Sequence, residues 1–187
     1  MKRLIHSVVC AWFLTSIALS VHAQEYVSPT QPVAVGKSPG VKVKLLSDNG
    51  QSKTYVLIFS PGDEVRSGLS EFAQKYQVKS AHYTAIGDVF SGKLGFYDYE
   101  RKMFRVIAVD TSEIASFIGN IAIYNGKPAA HTHVSVASKD GSVKGGHLLE
   151  LYIGPTLEVF VTVEPTALYK KLDKRFDAGI IDPSLEH

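Results

Sequence analysis

The residues best placed to do chemistry are three histidines that fall close together. His131 and His133 flank Thr132, and His147 follows the step Gly145-Gly146. Of the seven histidines, His6 and His22 lie near the N-terminus and His187 is the last residue, which leaves only His82 elsewhere. Residues two apart on a strand project from one face, so an extended segment points His131 and His133 the same way. The place of His147 depends on the intervening turn. A two-residue turn at Asp140-Gly141 pairs residues whose numbers sum to 281 and sets His147 opposite Val134, on the wrong face. A three-residue loop, Lys139-Asp140-Gly141, makes the sum 280 and sets His147 directly opposite His133. Glycine in third position suits the left-handed residue of that hairpin class. A bulge at Gly145-Gly146 would reset the register, whereas the same two glycines allow close backbone approach.

Three converging imidazoles suit zinc, with a fourth ligand completing a tetrahedron. Nickel, copper and iron also accept imidazole, so spacing does not choose the metal. The alternative is a polar sheet face on which the three rings are satisfied by hydrogen bonds.

The elements that would carry these residues are mostly strands. Val41 to Leu45 alternates with period two, Asp48-Asn49-Gly50 is a turn signal, and Thr54 to Phe59 reads as the returning strand. Val65, Leu69, Phe72, Ala73 and Tyr76 share one helical face, which predicts a helix over Glu64 to Tyr76 with Asp63 as its N-cap. Further strands are expected at Ala81 to Ile86, Lys93 to Tyr97, Met103 to Val109, Ile118 to Tyr124, Ala130 to Ala137, Leu148 to Ile153 and Glu158 to Val163. Turns are expected at Asn125-Gly126, Asp140-Gly141 and Gly154-Pro155, and a second helix around Thr166 to Leu172. The pattern is α+β: a single large antiparallel β-sheet with helices packed on one face.

Residues 1–23 read as a secretory signal peptide. Met1-Lys2-Arg3 is basic, Leu4 to Leu19 is mostly apolar, and Val21-His22-Ala23 supplies small residues for cleavage after Ala23. The apolar stretch is shorter than the ~20 residues a membrane span needs. A periplasmic or secreted protein is expected, with no membrane attachment after cleavage. Loss of Lys2 and Arg3 leaves 18 basic and 18 acidic residues, so bulk charge does not draw the chain to nucleic acid. The lone cysteine, Cys10, lies in the leader, so the mature chain forms no disulfide. Residues 24–40 contain Pro29, Pro32 and Pro39 and read as an extended arm, and residues 41–187 as one domain.

The stretch from Tyr55 to about Asp177 resembles the plants-and-prokaryotes conserved (PPC) domain. The matching pieces are Pro61-Gly62-Asp63, Ala85-Ile86-Gly87, Glu113-Ile114, Gly119-Asn120-Ile121 and Pro128-Ala129-Ala130-His131-Thr132-His133. Asp140-Gly141, Gly145-Gly146-His147-Leu148 and Thr156-Leu157-Glu158-Val159 continue the pattern. The resemblance implies a homotrimer, with His131, His133 and His147 as the positions where prokaryotic relatives hold a metal, usually zinc. Plant relatives add an AT-hook, a short Arg-Gly-Arg-Pro segment that this chain lacks, so DNA binding is not expected.

Three functions follow from these readings. The first is binding or sensing of a metal or of a small-molecule ligand that reaches it. The second is a zinc-dependent hydrolase or lyase using metal-activated water, with Glu158 as general base or as partner to a ligating histidine. The third is a structural trimer with no catalytic role. Glu113 and Asn120 are secondary candidates, His82 reads as a sheet histidine rather than a fourth ligand, and Phe90, Phe96, Tyr97, Tyr99 and Phe104 could frame a pocket or an interface. Lys170, Lys171, Lys174 and Arg175 read as a solvated helix face, and Leu185-Glu186-His187 carries no function.

Overall fold

A computed structural model describes residues 23–30 and 36–186. The expected leader lies outside the described residues except for Ala23, as do residues 31–35 of the arm and His187. The elements in chain order are β1 (Tyr26–Val27), β2 (Lys42–Asp48), β3 (Lys53–Phe59), α1 (Val65–Lys75), β4 (Ser80–Asp98) and β5 (Met103–Val109). They continue with β6 (Ser112–Tyr124), β7 (Lys127–Ala137), β8 (Val143–Val163), β9 (Lys170–Asp173) and β10 (Ala178–Ile181). Eight strands form one antiparallel sheet in the order β1-β5-β4-β6-β7-β8-β3-β2, and β9 and β10 make a separate hairpin. Among the described helices, none is long and apolar enough to cross a membrane.

Two long strands organise this sheet. β4 and β8 pair with each other from Ala81↔Val163 to Gly95↔His147. Each also pairs elsewhere, β4 with β5 and β6 and β8 with β3 and β7. Through β4, β6, β7 and β8 the pairings close a circuit. The sequence reading splits both long strands in two, between Ile86 and Lys93 in β4 and at Gly154-Pro155 in β8. Both places are interruptions of the ladder rather than ends of strands. Residues 154–156 lie unpaired between Gly87↔Leu157 and Val89↔Ile153, so Pro155 sits where no backbone N–H is needed.

The core lies between this sheet and α1. Leu57 and Phe59 of β3, Val65 and Leu69 of α1, and Leu151 and Leu157 of β8 are fully buried. Each such side chain contributes roughly 1.5–3 kcal/mol. Phe72 of α1 meets Tyr55 of β3 edge-on, with ring centroids 5.3 Å apart.

Three expectations need correction. The N-cap of α1 is Glu64, whose carboxylate accepts from Arg66 N at 3.0 Å and Ser67 N at 2.7 Å. Asp63 instead ties Ser60 N and Gly40 N to the loop before the helix. Among the described residues only one helix packs on the sheet. The segment expected as a second helix runs beside β6, with Ile123 N donating to Leu168 O at 2.8 Å and Leu168 N to Lys79 O at 3.2 Å, and then enters β9. Those sheet contacts engage the backbone that a helix would use. The basic residues there consequently occupy a hairpin, in which Lys171 pairs with Asp182 and Arg175 with Asp173 while Lys170 turns inward.

Candidate metal centre

The hairpin from β7 to β8 takes the three-residue loop. Ser138 N donates to Ser142 O at 2.8 Å, closing Lys139-Asp140-Gly141, and Gly141 has φ +80°, a conformation that glycine adopts without strain. Asp140 Oδ1 accepts from Ser142 N and Ser142 Oγ and holds the turn. The register that follows is Val136↔Lys144, Val134↔Gly146 and His133↔His147, as expected. Gly146 serves close approach: a Cβ there would stand 2.6 Å from Gly95 O, so only glycine lets β4 pass this close to His147. On the reverse face of β7, buried Thr132 accepts or donates a 2.6 Å hydrogen bond with the Tyr83 hydroxyl. That bond fixes the backbone between His131 and His133.

The three imidazoles meet at one end of a cleft of about 430 Å³. Ring centroids lie 5.0 Å apart for His131 and His133, 4.9 Å for His131 and His147, and 5.9 Å for His133 and His147. One nitrogen from each ring lies within 4.8 Å of the others. Ligand nitrogens at 2.0–2.1 Å around a tetrahedral zinc stand about 3.4 Å apart. Small ring rotations therefore suffice, and the donor set fits zinc. Phe104 of β5 stacks on His147 with centroids 4.6 Å apart and planes 8° from parallel, which holds that ring against the cleft wall.

Burial keeps His131 and His147 neutral. It lowers His147 to a pKa of about 3, helped by His131, His133, Arg66 and Lys170, and lowers His131 to about 4, helped by Lys170 and His133. Neutral imidazole is the form that binds a metal. Burial likewise lowers Lys170 to about 8. A consequence for stability follows. In the unfolded chain His131 and His147 take up protons below the ordinary histidine value of about 6.5, whereas in the folded chain these two do not until about pH 4 and below. Stability is therefore full above pH 6.5 and is lost as pH falls toward 4. Melting of the metal-free protein should shift to lower temperature between pH 7 and 4.5, and His147→Gln should flatten that slope. An unchanged slope in the variant would remove His147 as its source.

The cleft also gathers residues the sequence reading assigned elsewhere or passed over. Arg66 of α1 enters it with Nη1 donating to Leu149 O at 2.7 Å, and Lys170 of β9 with Nζ donating to Ala129 O at 3.3 Å. Tyr97, Tyr99 and Phe104 line it as a pocket frame, whereas Phe90 and Phe96 do not. The β9–β10 hairpin tip closes one side, where Tyr99 meets Phe176 at 6.3 Å and the Tyr97 hydroxyl donates to Phe176 O. No local signal marks Arg66 or Lys170, because each reaches the cleft through packing.

The other candidates fall outside the histidine cluster. Glu158 pairs with Ile58 and Ile86 and does not line the cleft. Glu113 is exposed and pairs with Asp88 and Ala137. His82 is exposed, with Nδ1 3.2 Å from Glu164 Oε1. Asn120 is nearer: it pairs with His131 across β6 and β7, and its buried Oδ1 has no hydrogen-bond partner among the described residues.

The fold has counterparts in known proteins. The sequence profile of the Plants and Prokaryotes Conserved (PCC) domain matches residues 46–164, more than half of the chain. The chain belongs to this family. Among solved structures it is similar to a candidate DNA-binding protein from Ralstonia eutropha JMP134, with a TM-score of 0.67 and 31% identity over 74% of this chain and 95% of that one. A plant- and prokaryote-conserved protein from Pyrococcus horikoshii has a TM-score of 0.65 and 27% identity over 77% and 97% of the two chains. The metal-containing protein AF0104 from Archaeoglobus fulgidus has a TM-score of 0.65 and 28% identity over 76% and 97%. Comparison with curated protein sequences finds no match. The family match covers every strand from β3 to β8, and with them His131, His133 and His147 of this PCC domain.

Proposed function

We propose that this PCC-domain protein is exported, assembles as a homotrimer and holds a zinc ion at His131, His133 and His147, where a small ligand can reach it. The observation that carries this reading is the convergence of three imidazoles in the lining of an open cleft. The metal content of the archaeal relative supports it. When bound, zinc would supply a Lewis-acidic centre to whatever enters the cleft. The chain's own residues hold His131 and His147 neutral, stack His147 on Phe104 and wall the cleft with aromatic side chains. None of the described residues that line the cleft is an aspartate or glutamate, and this favours binding or sensing over proton-shuttling hydrolysis. The balanced charge left after leader removal argues against carrying over the DNA-binding description of the Ralstonia protein.

The trimer reading rests on a surface beside the site. Ile118 and Phe160 both stand opposite Thr84, on either side of β4, and Ile86 lies two residues along. All three are exposed, at 55%, 45% and 65%. A contiguous apolar patch next to the unsatisfied Asn120 Oδ1 suits a face covered by a second copy. The test is one preparation of the full chain, expressed with its own leader and purified without chelator. About one zinc per chain by elemental analysis and a light-scattering mass three times that of the processed chain are expected. Substoichiometric metal together with an unchanged His133→Ala variant would overturn the metal reading, and a monomer mass the trimer.

A further inference from the structure

The charge in the cleft is unbalanced. Arg66 and Lys170 both line it, from different elements, and no carboxylate does among the described residues. The hydrogen bonds of both cations run to backbone carbonyls, Leu149 O and Ala129 O, which satisfy donors without neutralising charge. Neither has a carboxylate oxygen within 4.0 Å among the described residues, and although Glu64 and Glu150 favour the charge of Arg66 from farther off, Lys170 has no such counterpart. Partly buried cations of this kind are ordinarily paired. A divalent ion held by three neutral imidazoles adds two further positive charges. What completes the site is therefore an anion.

The shape of the cleft says more. Its volume of about 430 Å³ is in the range of small-molecule sites, and Tyr97, Phe104 and Phe176 contribute an aromatic wall that a bare inorganic ion would leave uncovered. Phosphate groups favour free amides at a helix N-terminus. Here the first-turn amides of α1, Arg66 N and Ser67 N, are already taken by the Glu64 carboxylate. A planar carboxylate, by contrast, matches the donor fork of a guanidinium.

We propose that the cleft binds a small organic carboxylate, its head held by Arg66 and Lys170 beside the histidines and its flat apolar body against the aromatic wall. This rests on the metal-site reading, because the ion contributes the largest charge the ligand must balance.

The test is calorimetric titration of the zinc-loaded full chain at pH 7 with benzoate, benzamide and phenyl phosphate. Benzoate should bind at least about tenfold more tightly than the isosteric neutral benzamide, and more tightly than phenyl phosphate. Lys170→Gln should lower benzoate affinity by about tenfold while zinc stoichiometry stays at one per chain, and Lys170→Arg should restore it. Equal affinity for benzoate and benzamide, or an unaffected Lys170→Gln variant, would overturn the proposal and leave the metal site standing. Tighter binding of phenyl phosphate would overturn the choice of carboxylate. Failure to take up zinc at all would sink the metal reading and this proposal with it.

Discussion

His147→Ala should lower zinc affinity by roughly 100-fold or more, since loss even of the partners behind a ligand costs 10–100-fold. His147 is the most deeply placed of the three rings and the only one supplied by β8. Removing it leaves His131 and His133, two donors on one strand, with no group from the facing strand to complete the set. Competition with a chromophoric chelator measures the affinity. Melting gives an independent readout. Zinc at a hundred times its dissociation constant should stabilise the native protein by about 2.7 kcal/mol, and this increment should vanish in the variant. His82→Ala is the control, because that ring is exposed and paired with Glu164 away from the cluster. Native-like zinc affinity in His147→Ala would place the ion elsewhere.

Glu64→Ala should destabilise the fold by about 3 kcal/mol, read as a lower urea midpoint with unchanged slope. Glu64 is fully buried, and its carboxylate accepts from Arg66 N, Ser67 N, Ser67 Oγ and Leu151 N. Three of these tie down the first turn of α1, and the fourth reaches β8. Its backbone joins the same network, with Glu64 N donating to Lys37 O and Glu64 O accepting from Ser38 Oγ. Truncation leaves buried donors without acceptors at the junction of helix, sheet and arm. Glu64→Gln keeps one carbonyl acceptor and should cost less. A loss below 1 kcal/mol for Glu64→Ala would mean that water replaces the carboxylate and that the cap is not a structural anchor.

The histidine hairpin is legible in the sequence. Counting residues across a three-residue loop pairs His133 with His147, and the structure takes that loop rather than the two-residue turn or the bulge that the sequence also allows. The α1 face followed from the spacing of Val65, Leu69, Phe72 and Ala73. The errors have physical causes. Asp63 and Glu64 are adjacent acids before a helix, and only the backbone geometry chooses between them. Residues 166–172 carry enough apolar spacing for a helix, but hydrogen bonds to Ile123 and Lys79 draw the backbone into sheet contacts. Gly154-Pro155 looks like a turn between strands and is instead an unpaired step within one.

Local rules were sufficient for the histidine hairpin, because register depends on loop length, side-chain alternation and one glycine conformation, all contained within residues 131–147. They could not supply the cleft. Its walls come from α1, β4, β5, β9 and β10, whose side chains meet through the long β4–β8 pairing and the folded-back C-terminal hairpin. Whether Lys170 is a solvated charge or an inward-facing one depends on which surface covers it, and no pattern of neighbours along the chain encodes that.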